Sequence, residues 1–139
     1  MIEVLVGAKC AWKDRETYTA SRKAQGALVI DDVAYECPSG SDQTVRHRAY
    51  HIISLICRAL LNGQPVVINT SQTNTVSGRI LYVGLAAALG RQSVAVVFPS
   101  DVLLDFVWEP PTVDEGFSIV VSPEIMTIIL ENGDEDGSE

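Results

Sequence analysis

The chain reads as one α/β domain with a mixed sheet, an antiparallel three-strand meander followed by a βαβ unit. Three observations predict that class. Short β-branched runs bounded by turn residues recur along the chain. One central segment carries an apolar stripe of helical period and closes on Asn62-Gly63. Two compact apolar runs, Pro65–Asn69 and Ser93–Phe98, flank a second helical segment. Strand, helix and strand in that succession make a parallel pair joined by a right-handed crossover.

Taken in order, Ile2–Val6 is the first strand, and Trp12–Arg22, polar and without a stable period, reads as a loop. Gln25–Asp31 and Val33–Cys37 are the second and third strands, paired as a hairpin across Asp31-Asp32. Pro38–Asp42 is a cluster of chain breakers. A helix capped by Asp42 or Thr44 follows, with Val45, Ala49, Ile52, Ile53, Ile56, Ala59 and Leu60 on its apolar face. Pro65–Asn69 has the composition of a strand buried on both faces. Thr70–Ser77 is a loop, Gly78–Leu89 a helix stopped by Gly90, and Ser93–Phe98 another buried strand. Asp101–Trp108 reads as a short helix and Phe117–Val121 as a last strand. Ser122-Pro123-Glu124 is a helix start, with Asn132-Gly133 at the far end.

Composition narrows the classes of function. With 47% hydrophobic and 20% charged residues, the 139-residue chain has the means to bury a core, which excludes a disordered or fibrous protein. Its net charge of −8 argues against nucleic-acid binding through a basic surface. Residues 1–130 are expected to form the domain. Residues 131–139 hold five acids and no base, and are expected to be a disordered acidic tail. No signal peptide or membrane span is seen, and Cys10, Cys37 and Cys57 form no C-x-x-C pair, so an intracellular protein with reduced thiols is expected.

Three short strings resemble the ribonuclease H family: Val6-Gly7-Ala8-Lys9-Cys10, Thr44 with Arg48-Ala49-Tyr50, and Asn69-Thr70-Ser71-Gln72. The resemblance spans residues 2–98 and implies a ribonuclease H-like fold. In that family carboxylates at these places hold two metal ions. Here Gly7 or Ala8, Tyr50 and Thr70 stand there, and Asp101 or Asp105 alone cannot replace the set. The resemblance therefore implies the scaffold without the nuclease chemistry, and no enzyme activity, metal or cofactor is expected.

His47 and His51 lie one helical turn apart, but Arg46 and Arg48 flank them and would repel a cation. No Walker loop, G-x-G-x-x-G or G-x-S-x-G motif is present. Lys13, Arg15, Arg22 and Lys23 gather near Trp12 and Tyr18 as a small basic patch. The most chemically loaded segment is Thr70–Arg79, at the carboxyl end of a buried strand and the start of a helix. There Thr70, Ser71, Thr73, Ser77 and Gly78, with an exposed positive charge on Arg79, could cradle a small anion such as a nucleotide. The simpler alternative is a polar loop in which Ser77 caps the helix. The leading expectation is a non-catalytic interaction or structural module that self-associates or docks on a protein partner. The alternative is an α/β domain that binds a small anionic ligand at Thr70–Arg79.

Overall fold

The computed structural model describes residues 1–7, 12–31, 45–98 and 109–137. The expected third strand Val33–Cys37, the caps Asp42 and Thr44, Cys10 and Cys37, and the short helix Asp101–Trp108 lie outside the described residues.

Among the described residues the sheet has five strands, β1 (Ile2–Gly7), β2 (Leu28–Asp31), β3 (Val66–Asn69), β4 (Ser93–Phe98) and β5 (Ile119–Val121), in the order β2-β3-β1-β4-β5. Four α-helices of the described residues accompany it, α1 (Trp12–Ala24), α2 (Val45–Leu61), α3 (Val76–Ala88) and α4 (Pro123–Gly137). All four strand pairings are parallel. This corrects the expected mixed sheet with its antiparallel meander. The first two strands, β1 and β2, are not meander neighbours, because α1 joins them and β3 lies between them. Pro65–Asn69 and Ser93–Phe98 do contribute parallel strands, yet β1 separates them. The all-parallel order likewise departs from the sheet that the ribonuclease H resemblance implied.

Side chains alternate between the two faces of a strand, so β1 feeds two cores. Ile2, Val4 and Val6 pack with Ile52, Ile56 and Leu60 of α2 and with Tyr82, Val83 and Ala86 of α3. Leu5 packs on the opposite face with Tyr18 of α1 and Met126 of α4. Helices on both faces leave β1, β3 and β4 almost wholly buried, which explains their unbroken apolar runs. Helix ends follow ordinary rules: Gly63 closes the turn after α2 with φ 77°, a conformation that favours glycine. Ser122 Oγ accepts the Ile125 N–H at 3.3 Å to cap α4, as the Ser-Pro-Glu start predicts. The α4 backbone continues past Asn132-Gly133 to Gly137.

The segment expected to be a loop, Trp12–Arg22, is helix α1. Its inward residues are Arg15, Tyr18 and Arg22, all buried, so the stripe has helical spacing but little hydrophobicity. Arg15 reaches the far end of β1, whereas Tyr18 and Arg22 meet a buried carboxylate near its start. Glu3 accepts hydrogen bonds from Arg22 Nη2 at 2.6 Å, from Arg22 Nε at 3.0 and 3.1 Å, and from the Tyr18 hydroxyl. The expected basic patch thus loses two of its members to the interior.

Burial, reinforced by the Glu3 carboxylate, holds the Tyr18 phenol well above its ordinary range. An unfolded tyrosine ionises near pH ~10. The native contribution is therefore complete below that pH and is lost as the pH rises toward the higher native value. Urea midpoints taken at increasing alkaline pH should fall beyond about pH 10, and Tyr18→Phe should flatten that slope. An alkaline slope unchanged by Tyr18→Phe would show that another group is responsible.

Candidate functional site

In a parallel sheet every strand delivers its carboxyl end to the same edge. Two adjacent strands make a crevice there when the chain leaves them toward opposite faces. β1 and β3 are such a pair. The chain leaves β1 for α1 on one face and leaves β3 for α3 on the other, as the two cores require.

The walls of this junction are tightly knit. Arg15, fully buried in the second turn's reach of α1, donates from Nε to Asn69 Oδ1 at 2.9 Å and from Nη2 to the Thr70 carbonyl at 2.9 Å. Its Nη1 lies 3.2 Å from the Gly7 carbonyl oxygen and 3.3 Å from Asn74 Oδ1. The Gly7 N–H donates to the same Asn74 oxygen at 2.9 Å. Thr73 Oγ1 sits 2.6 Å from the Leu5 carbonyl oxygen and 2.9 Å from that of Thr70. A short 3-10 turn, Ser71–Asn74, carries these groups back across the end of β1. Arg15 and Asn74 thereby tie the ends of β1 and β3 to each other. One polar atom in the wall is left over: Thr70 Oγ1 is buried and has no hydrogen-bond partner.

The six residues expected to cradle an anion are distributed unevenly about this junction. Thr70 and Thr73 are buried in its wall, and Ser71 and Ser77 are exposed. Thr75, not Ser77, is the cap of α3, accepting the Gly78 N–H at 3.3 Å, so the helix begins at Val76. Gly78 serves close packing, because a Cβ there would stand 1.7 Å from the Gln72 carbonyl oxygen. Arg79 was expected to be exposed and is fully buried. Its Nε and Nη2 grip Glu115 at 2.9 and 3.0 Å, and its Nη1 donates to the Thr73 and Glu109 carbonyls at 3.0 and 2.9 Å. A guanidinium so engaged is held for structure, and its charge is answered by Glu115.

Sequence reasoning passed over the β1 side. Gly7 ends β1, a four-residue connection follows, and α1 opens at Trp12 with Lys13 exposed in its first turn. Gly7 and Lys13 stand at the first and seventh places of the phosphate-loop pattern G-x-x-x-x-G-K-[ST]. Trp12 replaces the second glycine and Asp14 the hydroxyl residue, so the full motif is absent. The spacing of Gly7 and Lys13 after an apolar strand was the signal available.

Of the positions compared with nuclease carboxylates, Gly7 ends β1 and Thr70 follows the neighbouring β3, while Tyr50 is exposed on α2. His51 is exposed and Cys57 half-buried. Among the described residues, no group of three or more His, Cys, Asp or Glu side chains is placed to hold a metal ion. None of the described helices is long and apolar enough to cross a membrane. No known protein-family model matches the chain, and no curated protein matches it either.

Proposed function

We propose that this chain is a non-catalytic binding domain for a small phosphate-bearing ligand, such as a nucleotide, held at the carboxyl edge of the sheet between β1 and β3. The observation that carries the reading is the divergence of the chain at that junction, with α1 opening four residues after β1 and carrying an exposed lysine, Lys13, in its first turn. Helix N-termini present unpaired N–H groups and a partial positive charge, which suit a phosphate. The unpartnered Thr70 hydroxyl lies in the wall of the same junction. Trp12 in place of a second glycine and Asp14 in place of a hydroxyl support binding without phosphoryl transfer. Asp14 repels a bare phosphate and accepts one carried on Mg²⁺, so the cation should strengthen binding.

Thermal melting with ATP or pyrophosphate, with and without Mg²⁺, tests this. Ligand at a hundredfold excess over Kd should add about 2.7 kcal/mol, a rise in Tm of several degrees. Lys13→Ala removes an exposed side chain, so the free protein should melt nearly unchanged while the ligand shift is lost. Absence of a shift with either ligand, or a full shift in Lys13→Ala, would refute the assignment.

A further inference from the structure

We infer that the outer flank of α4 is a docking surface for a basic amphipathic helix of a partner protein. Met126 is fully buried and Leu130 partly so, which fixes the core side of α4. Pro123, Glu124 and Thr127 line a groove against Tyr18, Thr17 and Asp14 of α1, which fixes the flank facing α1. The opposite flank carries Ile125, Ile128 and Ile129, exposed by 47%, 51% and 38%. Their i, i+3, i+4 spacing makes one continuous stripe, the arrangement that receives the apolar face of another helix. A single exposed isoleucine needs no explanation, but three in one stripe leave apolar area unsatisfied in water.

Charge selects the occupant. Glu131 follows the stripe on the same helix, and residues 132–139 add four more acids with no base. A second copy of this chain would bring a like-charged border to the contact, with a net charge of −8 on each side. A helix with apolar residues at matching spacing and Lys or Arg on its flanks satisfies both the stripe and its border. The stripe uses none of the residues assigned to the ligand junction, so it stands or falls separately from the reading above.

The test uses the full chain and two labelled amphipathic peptides of about 18 residues, with leucines at i, i+3, i+4, i+7. One has lysines on its flanks and the other glutamates. Fluorescence anisotropy should show binding of the lysine peptide alone, weakened by salt. Ile128→Ser and Ile129→Ser, both at exposed positions, should each weaken it on the order of tenfold while leaving the melting temperature within a few degrees of wild type. Equal binding by the two peptides, or binding unchanged in the isoleucine variants, would overturn the inference. So would sedimentation showing a wild-type dimer that Ile128→Ser dissociates, since the occupant would then be a second copy.

Discussion

Replacing Arg15 with methionine should destabilise the protein by about 3–5 kcal/mol, among the largest effects of any single substitution. Methionine retains much of the aliphatic stem, so little packing is lost. What goes is the donor fork that serves Asn69, Thr70, Gly7 and Asn74 at the ends of β1 and β3. Those acceptors are buried or half-buried, and an unsatisfied buried oxygen costs about 1–3 kcal/mol. Arg15→Lys should restore little, because one ammonium cannot reproduce a planar fork across two strand ends. Urea unfolding at constant m-value checks this. A loss below about 1 kcal/mol would mean that water takes over the acceptors and that the junction is not held by Arg15.

The second large effect is expected beneath α1. Arg22→Ala removes the partner of a carboxylate with no solvent exposure and should also cost about 3–5 kcal/mol. The penalty belongs to the stranded charge more than to the lost attraction. Changing Glu3→Met, Tyr18→Phe and Arg22→Met together should therefore lose less than Arg22→Ala alone, since the cluster then leaves no stranded charge or orphan hydroxyl. Equilibrium unfolding of the single and triple variants decides between the two sources. A triple variant less stable than Arg22→Ala would show that the ion pair itself is strongly stabilising.

These two arginines also explain where the sequence misled. α2 is legible because its inward residues, among them Ile52, Ile56, Ala59 and Leu60, are apolar and repeat at helical spacing. α1 obeys the same geometry with Arg15, Tyr18 and Arg22 facing in, and a hydrophobicity pattern cannot register a helix whose buried face is ionic. Losing α1 turned a parallel β1–α1–β2 unit into an expected meander. β3 and β4 were recognisable as buried strands, because both faces of each are covered. Their separation by β1 was not, because strand order is decided by long-range packing and leaves no mark on either run.

The candidate site shows the same division. Thr70–Asn74 does follow the carboxyl end of an interior strand, β3, as its position after Pro65–Asn69 suggested. Yet Thr73 and Arg79 look identical in sequence whether they bond inward or face a ligand, and here both bond inward. Gly78 is set by contact with a backbone oxygen from the preceding turn. Lys13 was hidden by Trp12, which interrupts the familiar pattern just where the helix opens.

Amide-resolved NMR titration of the full chain with MgATP locates the ligand directly. Binding at the β1–β3 junction should move the amides of Gly7, Lys13, Asp14 and Thr70 at the lowest ligand concentrations and leave the far edge of the sheet, at Ile2, Val66 and Ser93, unmoved. A footprint confined to that far edge or to α4, or no footprint at millimolar ligand, would contradict a phosphate site at the end of β1.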